Sequence, residues 1–123
     1  MDRTVRVIIV DDKRLARQAL GALLRRPGIE VVGELDSADA LESTVSLLRP
    51  DVVLMDVRMP RLDGIEAARR LKAAWPDVRV VILTMHGYYR TTAMAAGADE
   101  FLIKGCETED LINAVCGIQA VAP

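Results

Sequence analysis

Five side chains that could do chemistry together stand at the ends of short apolar runs. Asp11 and Asp12 follow Val5–Val10, Asp56 follows Val52–Met55, Thr84 follows Val78–Leu83, and Lys104 follows Phe101–Ile103. Three carboxylates brought close repel one another unless a cation neutralises them, and hard oxygen ligands with open positions suit Mg²⁺. Beside a bound metal, one carboxylate can act as a nucleophile towards phosphorus. A hydroxyl and an ammonium, here Thr84 and Lys104, can then hold phosphoryl oxygens as charge spreads over them. Each residue alone has a plainer use: an Asp after a strand turns or caps the chain, a strand-end Lys is solvated, a Thr is structural. The joint reading is favoured because four of five strand ends carry a group that fits one reaction. The second strand ends in Leu35-Asp36, which reads as a turn.

Whether these groups meet depends on the elements that carry them. Val5–Val10 is β-branched, bounded and too short for a free helix. From Lys13 to Arg26 apolar residues recur at helical spacing (Ala16, Leu20, Leu23, Leu24), and Pro27-Gly28 stops that helix. Ile29–Leu35 reads as a second strand, after which Ser37 is expected to cap a helix with the stripe Leu41, Val45, Leu48, closed by Pro50. Val52–Met55 is continuously apolar, as a strand covered on both faces should be. A turn-rich segment, Met59 to Gly64, leads to a helix carrying Ile65, Ala68, Leu71 and Trp75, ending before Pro76. Val78–Leu83 gives the fourth strand, Tyr88–Ala96 a short helix stopped by Gly97, and Phe101–Ile103 the fifth strand. Thr108 opens a last helix with Leu111, Ile112, Val115 and Ile118 on one face. Strict alternation of five strands and five helices requires crossover connections, hence an α/β fold: a parallel sheet with helices on both faces. In such sheets the site lies beyond the C-terminal ends of the strands, where the five groups stand.

The totals are consistent with this and exclude other classes. At 123 residues the chain suits one core between helix layers, not two such cores. It is 51% hydrophobic and 28% charged with a formal charge of −2, so no nucleic-acid grip is spread over it. Arg25-Arg26 is read as the end of a helix, where the dipole favours cations. No apolar run approaches the roughly 18 residues of a membrane span, and Met1-Asp2-Arg3-Thr4 runs into the first strand without a cleavage signal. Cys106 and Cys116 match no metal spacing and read as reduced thiols, as in a cytoplasmic protein.

The segments Val10-Asp11-Asp12, Leu54-Met55-Asp56-Val57-Arg58-Met59-Pro60, Leu62-Asp63-Gly64, Ile82-Leu83-Thr84 and Gly97-Ala98-Asp99-Glu100-Phe101-Leu102-Ile103-Lys104 resemble the receiver domains of two-component response regulators. The resemblance covers essentially the whole chain. Arg58-Met59-Pro60, the Asp63-Gly64 turn and the following Glu66-Ala67-Ala68-Arg69-Arg70 look most like the NarL/FixJ subfamily, with its LuxR-type output domains. The resemblance implies a flavodoxin-like, CheY-like (βα)5 fold with strand order 2-1-3-4-5. It implies a receiver over residues 1–119, with 120–123 the start of a linker or the end of a fragment. Asp56 would accept a phosphoryl group from a sensor histidine kinase. Mg²⁺ would be held by Asp12, by Asp11 mainly through water, by Asp56 and by the Arg58 backbone carbonyl. Thr84 and Lys104 would contact the phosphoryl group, and Thr84 with Phe101 would form the switch, although Phe101 also fits as an ordinary core aromatic. The implied partners are the kinase, a second copy of the chain on activation, and DNA only through a downstream helix-turn-helix domain. No membrane is involved, and the chain is not an enzyme beyond its own phosphorylation and dephosphorylation.

Three departures from the family pattern stand out. Gly105 follows Lys104 where many receivers have proline, so no cis peptide is expected there. Met85 is bulkier than the small residue common after the switch Thr, and the stretch from Thr84 to Gly97 is about two residues short, trimming the start of the fourth helix. Arg58 and His86, two residues beyond Asp56 and Thr84, are expected to flank the entrance. The first and last helices, with Gln119 facing outward, are expected to be the partner surface rather than the fourth. Three other readings compete. A haloacid-dehalogenase-type phosphatase typically has an acid/base Asp two residues after the nucleophile, where Arg58 stands. A flavodoxin-type binding module needs a phosphate loop after the first strand, where Asp11-Asp12 would repel a phosphate. A degenerate receiver acting only in docking is disfavoured by the intact acidic set.

Overall fold

The computed structural model describes residues 3–58 and 63–118. Five strands, β1 (Val5–Val10), β2 (Ile29–Leu35), β3 (Val52–Met55), β4 (Arg79–Thr84) and β5 (Glu100–Ile103), alternate with five helices. The helices are α1 (Arg14–Leu24), α2 (Leu41–Leu48), α3 (Gly64–Ala74), α4 (Arg90–Ala95) and α5 (Thr108–Cys116), with a 3-10 turn over Gly87–Tyr89 before α4. The sheet order is β2-β1-β3-β4-β5 and every pairing is parallel, as the alternation and the resemblance imply. No helix among the described residues is long and apolar enough to cross a membrane.

The central strands explain the layering. Successive side chains of a strand point to opposite faces, so the run Val7-Ile8-Ile9-Val10 feeds two cores at once. Val7 and Ile9 join Leu54, Val81, Leu24, Leu111 and Val115 under α1 and α5. Ile8 and Val10 join Val53, Ile82, Leu41, Ala68 and Leu71 under α2, α3 and α4. All four residues of β3 are buried, the pattern of a strand covered on both sides. Each such Val, Leu or Ile contributes about 1.5–3 kcal/mol by leaving water. On the edge strand β2 the register shifts between Val7 and Ile8, which pair with Val31 and Gly33, leaving Val32 as a bulge.

Several local expectations need correction. Ser37 does not cap α2: the helix starts at Leu41 with Ala40 at its cap, and the Ser37 hydroxyl accepts from the Asp39 amide at 3.4 Å. Ala38 is drawn into the core (5% exposed) and its carbonyl accepts from Leu41 N at 3.1 Å, so this stretch is spent on a turn. Ile118 is not on the buried face of α5. Gly117 (φ 74°) ends the helix, Ile118 N returns to Asn113 O at 2.8 Å, and the side chain is 58% exposed. Arg25 caps α1 rather than filling its last turn, and Arg26 reaches Glu109 of α5 at 3.5 Å. The fourth helix, expected over Tyr88–Ala96, is divided into the 3-10 turn and a six-residue α4. Both cysteines are free, and no cis peptide occurs among the described residues. The segment Met59-Pro60-Arg61-Leu62, expected as a turn, and Gln119 lie outside the described residues.

Candidate functional site

The sheet's hydrogen-bond ladder runs one step past the strand ends and fixes the chemical groups there. Asp11 N donates to Leu35 O at 3.0 Å, Asp56 N to Val10 O at 3.0 Å, and Lys104 N to Thr84 O at 2.8 Å. Thr84 is itself the last residue of β4. Ligatable atoms of Asp11, Asp12 and Asp56 come within 4.8 Å of one another. Asp11 and Asp56 are almost fully buried, at 1% and 6% exposure. Taking carboxylates out of water costs several kcal/mol each unless they are paired. Lys104 supplies the pairing, its Nζ lying 2.8 Å from Asp11 Oδ2 and 2.9 Å from Asp56 Oδ2. Burial pulls the ammonium pKa down, but the hydrogen bonds to Asp11 and Asp56 outweigh it and leave the pKa raised.

The rest of the acidic turn is held from its own backbone. Lys13 N donates to Asp11 Oδ1 at 2.9 Å and Arg58 N to Asp56 Oδ1 at 3.3 Å. Asp12 differs: its Oδ1 is buried yet has no hydrogen-bond partner, the nearest cation being Lys13 Nζ at 3.6 Å. A buried carboxylate oxygen without a hydrogen bond, close to those of two further carboxylates, completes a donor set that a hard divalent cation fits.

Behind Asp56, α3 starts close against the strand. Asp63 caps it by accepting from Glu66 N at 2.8 Å, and Gly64 N donates to Val57 O at 2.8 Å. A Cβ at residue 64 would sit 2.2 Å from the Asp56 carbonyl oxygen, so only glycine allows this approach. In front, a cleft of about 990 Å³ is lined by Asp12, Asp56, Arg58, Thr84, His86 and Lys104, among others. Arg58 and His86 both border it, with Arg58 Nη1 3.4 Å from His86 Nε2. Met85 is 65% exposed, so its bulk is turned to solvent. Phe101 is buried (4% exposed) with the Arg90 guanidinium 5.0 Å above its ring centre.

Asp12, Asp56, Arg58, Thr84, His86 and Lys104 line this cleft and Asp11 is bonded to Lys104, whereas Phe101 is buried on β5 and is not among the lining residues. Sequence reasoning missed three contributors: the Tyr88–Tyr89 ring pair beside His86, the steric role of Gly64, and Arg17, whose Nη1 donates to Asp11 O at 2.8 Å. Arg17 had a signal, since it shares a helix face with Leu20 and Leu24, an unusual place for a charge.

Residues 7–116 match the response regulator receiver domain family. Response regulator GacA of Pseudomonas aeruginosa is 37% identical over 114 residues, covering 90% of this chain and 53% of that protein. Transcriptional regulatory protein DegU of Brevibacillus brevis is 34% identical over 117 residues, covering 93% of this chain and 50% of that protein. This chain thus spans about half the length of these relatives. Among solved structures, a LuxR-family two-component response regulator from Aurantimonas sp. SI85-9A1 superposes with TM-score 0.86 at 31% identity, covering 98% of this chain and 91% of that one. The NarL signal receiver domain from Mycobacterium tuberculosis gives TM-score 0.87 at 30% identity, covering 94% and 95%. Family match, relatives, fold and strand-end groups agree: the chain belongs to the response regulator receiver domains of two-component systems.

Proposed function

We propose that this receiver is a phosphorylation-dependent signalling switch whose phosphoacceptor is Asp56, charged from the phosphohistidine of a sensor histidine kinase. The observation that carries the reading is the cluster of Asp11, Asp12 and Asp56, with Lys104 bridging the buried Asp11 and Asp56 and one Asp12 oxygen left without a hydrogen bond. The donor set fits Mg²⁺, held by the carboxylates of Asp12 and Asp56, by Asp11 mainly through water, and by the Arg58 backbone carbonyl. When bound, the ion supplies charge neutralisation at the phosphoryl oxygens. An Asp56 carboxylate oxygen attacks phosphorus; the P–N bond of the donor breaks, its electron pair goes to the imidazole nitrogen, and an acyl phosphate forms. Lys104 then exchanges its contact with Asp56 for a phosphoryl oxygen. Thr84, buried at the end of β4, follows the phosphoryl group, and Phe101 on the neighbouring strand is the second half of the switch. Water later hydrolyses the acyl phosphate, releasing inorganic phosphate and regenerating the Asp56 carboxylate. The chain therefore transfers phosphoryl groups only to and from itself.

The signal leaves through association with a second copy. DegU is named a transcriptional regulatory protein and is about twice as long as the match, which supports an output domain C-terminal to this region as the only contact with DNA. On this reading residues 1–119 belong to the receiver, and 120–123 are the start of a linker or the end of a fragment. A switch fed by a kinase and directed at DNA works in the cytoplasm, and no helix among the described residues is long and apolar enough to cross a membrane. The test is acetyl phosphate with Mg²⁺ followed by intact-mass measurement. One phosphoryl group should be added, none in Asp56→Asn and none with the metal chelated. Undiminished labelling of Asp56→Asn would sink the assignment.

A further inference from the structure

We propose that Arg17 is a positioning residue of the acidic site, setting its divalent-cation affinity by fixing the peptide between Asp11 and Asp12; the inference rests on the metal-assisted phosphoacceptor reading above. Arg17 lies in the first turn of α1 with its side chain only 18% exposed. Its Nη1 donates to the Asp11 carbonyl at 2.8 Å, while its Nε lies 3.9 Å from Glu34 Oε1 on β2. The guanidinium is a rigid planar fork, hydrogen-bonded to the Asp11 carbonyl on one side and in a looser ion pair with half-exposed Glu34 on the other. It thereby ties α1 and β2 to the one peptide that joins the two acidic residues.

The consequence follows from which atoms are already engaged. Asp11 N is held by Leu35 O, Asp11 Oδ1 by Lys13 N and Asp11 Oδ2 by Lys104. The carbonyl held by Arg17 completes the set, so the Asp11–Asp12 peptide cannot rotate freely. The direction in which Asp12 leaves the backbone is then fixed, and with it the buried Asp12 Oδ1, which accepts no hydrogen bond. Charge and position make opposite predictions for this residue. As a nearby cation, Arg17 should weaken a divalent ion, so its removal should tighten binding. As an anchor, it holds the ligand in place, so its removal should loosen binding, typically by 10-fold or more for such outer-shell partners, a figure on the order of the general range. The geometry favours the anchor, because Glu34 already offsets the charge.

The experiment titrates MgCl2 into the metal-free chain, following amide NMR shifts, for wild type, Arg17→Lys and Arg17→Met. Lys keeps the charge but cannot bridge Glu34 and the carbonyl together. Affinity should fall about several-fold in Arg17→Lys and roughly ten-fold in Arg17→Met. Amide exchange at Lys13 in the absence of metal should quicken in the same order. Unchanged or tighter Mg²⁺ binding in Arg17→Met, or unchanged exchange at Lys13, overturns the proposal. Should Arg17→Met fail to fold, wild-type affinity in Arg17→Lys overturns it equally. A wild-type chain that binds no Mg²⁺ at all removes the phosphoacceptor reading itself, whereas normal wild-type binding with indifferent variants removes only the role of Arg17.

Discussion

Lys104 holds two buried carboxylates at once, and this makes the site's stability depend on one proton. Burial lowers the ammonium's pKa, and its hydrogen bonds to Asp11 and Asp56 more than restore it, so the folded value lies above the ordinary 10.5. A raised folded pKa stabilises fully below the unfolded value and the stabilisation is lost as pH rises through the folded one. The alkaline limb, above about 10.5, is therefore where Lys104 matters. Denaturant unfolding of the metal-free chain should show a loss of stability on that limb that is absent in Lys104→Met. At neutral pH the same variant should be less stable by about 3 kcal/mol, because two buried charges lose their partner. Identical alkaline limbs in the two proteins would remove Lys104 as the cause.

Among the elements, α4 is the weakest. It has six residues, including Thr91 and Thr92, far below the length at which a helix holds itself, about 12–15 residues. Its attachment is through small side chains, Ala93 and Ala96, together with Arg90 over Phe101, while Met94 is 43% exposed. Small buried areas give low opening free energies. α3, by contrast, is capped by Asp63 and buries Ile65, Ala67, Ala68 and Leu71. In native-state hydrogen exchange of the unphosphorylated chain, amides over Tyr88–Ala96 should exchange well before those of α3. A loosely held α4 suits a switch, because a displacement of Thr84 can rearrange it at small cost. Protection across Tyr88–Ala96 equal to that of α3 would defeat this view.

For the whole molecule, the two faces of the sheet divide the work. The α1–α5 face carries an apolar groove of about 230 Å³, lined by Ala16, Leu20, Leu23, Thr108 and Leu111 among others. Leu15 and Leu23 on α1 are 78% and 42% exposed. A second copy of the chain, seated on this firmer face, is the proposed occupant after activation. In sedimentation of the beryllofluoride-treated chain, Leu23→Asp should abolish dimers while Met94→Asp leaves them intact. Dimers that survive Leu23→Asp and are lost in Met94→Asp would transfer the interface to α4.

The order of elements, the parallel sheet and the identity of the strand-end groups were legible in the sequence, because periodicity and punctuation are local. Val52–Met55 reads as a covered strand from four letters, and Asp56 must follow it. Asp11 and Lys104, 93 residues apart, share a salt bridge because strand order brings their ends together, and the alternation constrains that order. What sequence could not decide were contacts set by three-dimensional distance alone. Only packing showed that Gly64 must lack a side chain beside the Asp56 carbonyl, that Ala40 rather than Ser37 stands at the cap of α2, and that Gly117 turns Ile118 out of the α5 stripe. Arg17 belongs to the same class: the sequence places a charge on an apolar face, but only the tertiary structure supplies the carbonyl and the carboxylate that occupy it. Local pattern fixes where a residue sits along its element; the partner it meets depends on how the elements pack.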